Sequence, residues 1–138
     1  MLKRLNEKIK SCDFWDDEYL SNIDIDETLN LRDEKEFDSE WIRIYELTQK
    51  NLIDEENQKI IDEIRENSFR SIYDRTSSAE LASYVSDDFE LVCKAYVMKI
   101  EDAWLASLFY EYINRRIPCG KMSDVTIGFQ ELVKKFIL

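Results

Sequence analysis

Glycine and proline are confined to the last part of the chain. The 138 residues contain one proline, Pro118, and two glycines, Gly120 and Gly128, so residues 1–117 contain neither. Tight two-residue hairpins depend on glycine, and a β-sandwich needs many such turns. Dinucleotide-binding and phosphate-binding loops also need glycine where the backbone approaches a phosphate. The distribution therefore disfavours an all-β fold, a Rossmann unit and a P-loop, and it favours helices whose ends are marked by Ser, Asp and Asn.

Apolar residues recur at helical spacing along most of the chain. The clearest stripe consists of six residues between Phe89 and Ile100, at positions i, i+3, i+4, i+7, i+8 and i+11. Ser86 is placed to cap this helix, and Asp87 and Asp88 are placed in its first turn, where the helix dipole favours negative charge. We therefore interpret Asp87 and Asp88 as helix-capping residues and not as a pair of catalytic carboxylates.

The residues near the C-terminal end allow two interpretations. Ser123 and Asp124 are typical of a helix start, whereas residues 125–127 could form a short strand, since Gly128 disfavours an uninterrupted helix. The chain has no repeat of fixed period and no low-complexity linker. We predict an all-α protein that forms a single compact domain over residues 1–138, with six to eight helices and one short strand near the C-terminus left open.

The negative charge of the chain is concentrated in one segment. The chain has 30 Asp and Glu residues against 19 Lys and Arg residues, a formal net charge of −11. Residues 13–40, termed the acidic segment, contain twelve of these acids and only two bases, Arg32 and Lys35, and so contribute −10. Interleaved apolar residues favour short helical turns over a free acidic tail. Such a charge repels phosphate backbones, so we expect no direct nucleic-acid binding.

The residue types that most often carry catalysis or bind metals are scarce. The chain has no histidine, which removes the usual general base and the commonest metal ligand. The motifs SxxK, GxSxG, GxxxxGK and HExxH are also absent. The sequence Asp24-Ile-Asp26-Glu27 begins like a calcium loop, but its sixth and twelfth positions are Leu29 and Lys35, not glycine and glutamate. We expect no enzymatic activity, no cofactor and no metal site.

The cysteines indicate a reducing compartment. Cys12, Cys93 and Cys119 are odd in number and form no CxxC pair, which disfavours a disulfide framework and a zinc site. No apolar stretch follows the basic N-terminus as in a signal peptide, and no stretch approaches the length of a membrane span. We predict a cytoplasmic protein without membrane contact, present as a monomer or a weak homodimer.

Acidic and aromatic residues lie together at the start of the acidic segment. This mixture predicts a surface for a basic partner, because complementary charge speeds encounter and aromatic side chains supply buried anchors. The alternative is a solvated face that only keeps the protein soluble. Trp15 and Tyr19 are the expected anchors. The predicted partner-binding residues are Asp13, Trp15, Asp16, Asp17, Glu18, Tyr19, Asp24, Asp26 and Glu27.

Three later stretches carry a resemblance to a known class of proteins. They are residues 84–95 (YVSDDFELVCKA), residues 102–108 (DAWLASL) and residues 116–120 (RIPCG). Together they resemble the small helical immunity proteins of bacterial polymorphic-toxin systems, including those of contact-dependent growth inhibition. The resemblance implies a protein that blocks a cognate toxin by stoichiometric binding, without turnover. It carries over no contact residues, so the predicted surface rests on charge alone.

Charge also favours one class of toxin. A nuclease active site is basic because it binds phosphate, and a small acidic protein can occupy or flank it. We therefore predict an immunity protein whose partner is a basic nuclease domain. The alternative is an acidic adaptor or a DNA-mimic inhibitor of a host nucleic-acid-binding protein. A carboxylate-dependent enzyme is the third hypothesis, and it needs a deep pocket lined by two carboxylates with displaced pKa values.

Overall fold

The computed structural model describes residues 1–137, and all the regular structure in that range is helical. This confirms the prediction of an all-α protein, and the number of helices, eight, is the upper limit of the predicted range. No part of residues 125–127 forms a strand. The eight helices are α1 (Leu2–Lys10), α2 (Asp17–Asn22), α3 (Ile25–Asp33), α4 (Lys35–Thr48), α5 (Glu55–Thr76), α6 (Ala79–Val97), α7 (Ala103–Ile113) and α8 (Phe129–Ile137).

Short polar side chains begin most of these helices. The carboxylates of Asp16, Asp24, Asp54 and Asp102 and the hydroxyl of Ser78 each accept a hydrogen bond from a backbone N–H in the first turn that follows. A helix start leaves its first N–H groups without intrahelical acceptors, and a side-chain oxygen at this position satisfies one or two of them. The expectation that Asp and Ser mark the helix starts is confirmed at these five positions.

The two longest helices, α5 and α6, form the most extensive helix pair. Helices α1 and α2 pack on α5, α4 packs on α6, and α8 packs against α7 and α1. Helix α6 contributes ten buried residues and lies at the centre of the core. Next to it is an aromatic cluster in which Phe14 meets Phe89 at a ring-centroid distance of 5.2 Å and Phe136 at 5.0 Å. Residues 1–137 thus share one hydrophobic core.

Two helix boundaries differ from the sequence prediction. Helix α6 begins at Ala79 and continues through Ser86, so Ser86 is not an N-cap. Helix α8 begins at Phe129, later than Asp124, and its second residue Gln130 donates its backbone N–H to the carboxylate of Glu101 at 3.0 Å. Because this acceptor comes from a loop almost thirty residues away, no local pattern marks the start of α8.

The acidic segment is folded into the domain and is not a free tail. It comprises α2, α3 and the first part of α4, together with the buried Phe14 and Trp15 that precede them. Several of its acids lie in the first turns of these helices, where the helix dipole stabilises negative charge. None of the helices in residues 1–137 combines the length and the apolar character that a bilayer crossing requires.

Candidate partner-binding surface

Two of the predicted binding residues are helix caps. Asp16 accepts hydrogen bonds from the backbone N–H groups of Glu18 and Tyr19 at 3.0 and 3.2 Å, and Asp24 accepts one from Glu27 at 3.0 Å. These bonds fix the starts of α2 and α3 and leave both carboxylates exposed. Asp16 and Asp24 therefore cap helices and also contribute surface charge. Asp87 and Asp88, interpreted from the sequence as capping residues, lie in the interior of α6, whose N-cap is Ser78.

Five of the nine predicted residues line one open groove between α2 and α3, of about 620 Å³. No lysine or arginine is among the described residues that line it, so its charge is carried by four carboxylates. We call it the α2–α3 groove. It is lined by Asp16, Glu18, Tyr19, Asp24 and Glu27, with Asn22, Ile23, Thr28, Leu31 and Cys119.

The other predicted acids lie outside this groove. Asp17 forms an ion pair with Arg75 of α5 at 2.7 Å, and Asp13 lies 3.6 Å from the ammonium group of Lys8. Asp26 is exposed in the first turn of α3. Ion pairs at the surface contribute little to stability, about 0–1 kcal/mol each, but they do reduce the local negative charge. Among the predicted acids, the four carboxylates of the α2–α3 groove and Asp26 are therefore the ones that form no ion pair with a described residue.

The two predicted aromatic anchors have different positions. Trp15 is only 5% exposed and packs edge-on against Phe89 and Tyr112, so it belongs to the core and cannot anchor a partner at the surface. Tyr19 is half-buried and lines the α2–α3 groove, and its hydroxyl accepts a hydrogen bond from the backbone N–H of Ile117 at 3.3 Å. Burial raises the pKa of Tyr19, against the opposing effect of that hydrogen bond.

Asp88 is the centre of a buried polar network. It lies in the middle of α6 with no exposed surface, and both of its oxygens bind the guanidinium group of Arg32, at 2.7 and 2.8 Å. The indole N–H of Trp41 donates to it at 2.8 Å and the hydroxyl of Tyr112 at 2.5 Å. Arg32 also donates to the carbonyl oxygen of Pro118 at 2.9 Å. The interpretation of Asp88 as a capping residue is therefore wrong.

Arg32 is held by charge and by aromatic packing. Burial alone would lower the pKa of Arg32, but the attraction and hydrogen bonds of Asp88 outweigh it and raise that pKa. The guanidinium carbon lies 4.8 Å from the ring centroid of Phe37 and 5.1 Å from that of Tyr84. Arg32 thereby ties the acidic segment to α6. One feature of the sequence points to a special role for Arg32, since it is one of only two bases among the twelve acids of the acidic segment.

A second, narrower groove lies above this network, between α4 and α6, with a volume of about 180 Å³. Tyr45 stacks on Trp41 at its edge, with ring centroids 5.6 Å apart and planes 17° apart. No local sequence pattern indicates this surface, because its residues come from three separate helices. We call it the α4–α6 groove; its lining residues are Arg32, Asp33, Phe37, Asp38, Trp41, Ile42, Tyr84 and Asp87.

Among residues 1–137, two carboxyl groups have displaced pKa values, and they do not share a site. Burial raises the pKa of Asp87, although Arg65 opposes this with an ion pair at 2.9 Å. Burial also acts to raise the pKa of Asp102, but hydrogen bonds from Arg43 and from the first turn of α7 lower it overall. Asp87 lines the α4–α6 groove and Asp102 caps α7. They are therefore not the paired carboxylates that an acid–base enzyme needs.

Comparison with known proteins gives one match that covers most of the chain. A protein-family model described as Immunity protein PIM1 matches residues 4–119. The matched span begins within α1 and extends beyond the end of α7. It includes every residue named above as lining the two grooves. No curated protein matches the chain at a significant level. Since the family model matches far more than half of the sequence, the chain belongs to the PIM1 immunity protein family.

Proposed function

We propose that this protein neutralises a cognate toxin domain by stoichiometric binding, and that the toxin is a basic nuclease. Membership of the PIM1 immunity protein family supports a binding role over a catalytic one. The observation that carries the choice of a basic partner is the α2–α3 groove, whose described lining contains four carboxylates and no lysine or arginine. A nuclease presents the complementary charge, because its active site must hold phosphate groups.

The local structure holds these carboxylates at the surface. Asp16 and Asp24 are fixed by their capping bonds, and Glu18 and Glu27 lie in the first turns that these caps begin. The partner therefore meets a charge pattern that is already in place, which limits the entropy lost on binding. Charge complementarity of this kind raises association rates by steering the encounter.

In the proposed complex the toxin is blocked without being altered. The α2–α3 groove supplies Asp16, Glu18, Tyr19, Asp24 and Glu27, and the flanking acids Asp13, Asp17 and Asp26 extend the negative field. Trp15 takes no part in contact and supports the surface from within the core. We place this event in the cytoplasm of the producing cell, where the three cysteines, which are free thiols in the structure, stay reduced.

The first test is co-expression with the protein encoded immediately upstream of this gene. We expect that protein alone to arrest growth, the pair to restore it, and the two chains to copurify in equal amounts. Nucleic-acid cleavage by the isolated partner, lost when this protein is added, identifies the nuclease. A partner that arrests growth equally with and without this protein contradicts the proposal.

The second test assigns the surface. Glu18→Lys combined with Glu27→Lys reverses two charges of the α2–α3 groove without removing either cap. Glu55→Lys combined with Glu56→Lys is the matched control, because these are also first-turn acids, on α5 and outside the acidic segment. The net charge changes equally in both. We expect the groove variant to bind at least about tenfold more slowly at low salt, with a shallower salt dependence, and the control to change little. Equal behaviour of the two variants contradicts the surface assignment.

A further inference from the structure

The outer face of α4 exposes large apolar side chains. Ile42 is 44% exposed and Tyr45 is 41% exposed, although both lie on a helix whose other face is packed on α6. They border the α4–α6 groove, which carries Trp41 and Tyr84 in its wall. Scattered exposed apolar residues are normal on proteins, but two neighbouring ones beside one aromatic groove are typical of a binding surface.

The aromatic side chains of this groove are held rigidly. The indole N–H of Trp41 is fixed by its bond to the buried Asp88, and Tyr45 stacks on the same ring. Tyr84 packs on the guanidinium group of Arg32 and donates its hydroxyl to Asp33 at 3.0 Å. Because these side chains are already fixed, little of their conformational entropy is lost when a partner binds. Rigid aromatic residues of this kind often dominate the binding energy of an interface.

The size and charge of the groove select its occupant. Its volume of about 180 Å³ is below the range of about 300–1,000 Å³ that is usual for small-molecule sites, and suits a single long side chain. Asp88 neutralises Arg32, and Arg65 neutralises Asp87. Among the residues that the structure describes, Asp33 and Asp38 form no ion pair, so their charges remain available.

We propose that the α4–α6 groove receives one lysine or arginine side chain of the toxin, and that this contact supplies much of the affinity of the complex. The aliphatic stem packs on Trp41 and Ile42, and the cation lies between Asp33 and Asp38, close to the aromatic rings. Ile42 and Tyr45 exclude water around it. The inference rests on the proposed function and adds a second surface to it: the α2–α3 groove steers the toxin, and the α4–α6 groove retains it.

The decisive experiment measures binding of the toxin domain encoded upstream, in a catalytically inactive form. Ile42→Ala with Tyr45→Ala removes the apolar rim. Leu52→Ala with Tyr73→Ala is the matched control, because it removes one exposed aliphatic residue and one stacked tyrosine elsewhere, Tyr73 stacking on Phe69. We expect the rim variant to raise Kd at least about tenfold through faster dissociation, and the control to stay within about twofold.

A second pair of variants tests the charge. Asp38→Asn and Glu36→Gln each neutralise one exposed acid in the first turn of α4, so their effects on the helix are equal, but only Asp38 lines the groove. We expect Asp38→Asn to raise Kd at least about tenfold and Glu36→Gln to change it little. Circular dichroism checks that every variant is folded.

The outcomes separate the two proposals. If the unaltered protein binds and the groove variants bind as tightly as their controls, the α4–α6 groove is not the retaining contact, while the proposed function stands. If the unaltered protein does not bind the toxin, both proposals fall. Faster dissociation in the groove variants, with unchanged association rates, supports the inference.

Discussion

Arg32 and Asp88 show how one residue pair organises this protein. Each of the two charges alone would be costly to bury, and the structure compensates them with two bonds to each other, with Trp41 and Tyr112 on the carboxylate, and with the carbonyl of Pro118 on the guanidinium. The pair therefore links α3, α4, α6 and the turn after α7. We hypothesise that this network serves mainly to select one arrangement of these elements, and that its contribution to the total stability is smaller.

Removal of Arg32 should be far more destabilising than removal of an exposed arginine. Arg32→Met leaves the buried carboxylate of Asp88 without its counter-charge, and we expect a loss of about 3–5 kcal/mol in the free energy of unfolding. Arg43→Met is the control, since Arg43 pairs with Asp102 and Glu40 at a side chain 45% exposed, and should cost no more than about 1 kcal/mol. Urea denaturation followed by circular dichroism measures both. Similar losses in the two variants would contradict a structural role for the buried pair.

At the scale of elements, helix starts depend on both local and distant acceptors. Asp16, Asp24 and Asp54 cap their own helices, and these starts follow from short-range chemistry. Helix α8 instead uses the carboxylate of Glu101, which approaches so closely that a Cβ on Gly128 would lie 2.8 Å from one of its oxygens. In the sequence, Gly128 disfavours a continuous helix. In the structure, its lack of a side chain also leaves room for Glu101 to cap α8.

Asp102 gives an element-scale prediction that depends on pH. Its hydrogen bonds to Arg43 and to the backbone of α7 lower its pKa below the ordinary 3.8. A lowered pKa in the folded state means that the ionised group stabilises the fold above about pH 3.8, and that this stabilisation disappears as the pH falls through the folded-state value. Asp102→Asn keeps a capping oxygen but does not titrate. We expect the variant to be less stable than the unaltered protein at pH 7, by about 1 kcal/mol, and the difference to shrink below pH 3.8.

The measurement is urea denaturation of both proteins at several pH values between 7 and 3. Asp54→Asn, at the N-cap of α5, is the control, because it removes a capping charge that has no arginine partner. A stability difference for Asp102→Asn that stays constant over this range would contradict the assignment.

At the scale of the whole molecule, the acidic segment and the rest of the chain share one core. Phe14 and Trp15 pack with Phe89 of α6, Arg32 binds Asp88 of the same helix, and Phe37 packs edge-on against Trp104 of α7 at 5.2 Å. The negative surface is consequently part of the folded domain. Its −10 charge costs some self-repulsion, which the dipoles of α2, α3 and α4 partly offset.

We therefore expect the chain to unfold in one cooperative transition. Trp104→Phe leaves two fluorescent reporters, Trp15 within the acidic segment and Trp41 directly after it, while far-ultraviolet circular dichroism reports all helices. The two signals should give the same urea midpoint, because the segment has no core of its own. A fluorescence transition at lower urea concentration would show that the acidic segment unfolds separately.

Most of the α2–α3 groove could be predicted from the sequence, whereas the α4–α6 groove could not. Asp16, Glu18, Tyr19, Asp24 and Glu27 come together because they are close in the chain, on two consecutive short helices. Trp15 was misassigned, because a tryptophan beside acids gives the same local pattern whether it faces solvent or the core. The α4–α6 groove was missed, because Asp33, Trp41 and Tyr84 meet only through tertiary packing.

The sequence by itself determined the helical class, the helix starts at Asp54 and Asp102 and the location of the charge, since each depends on spacing, on capping chemistry or on composition. Only the tertiary structure decided that Asp88 is buried and not a cap, that Trp15 is a core residue, and that α8 begins at Phe129. Those outcomes depend on partners dozens of residues away, Arg32 for Asp88 and Glu101 for α8, and burial by such partners outweighs the local preference of a side chain.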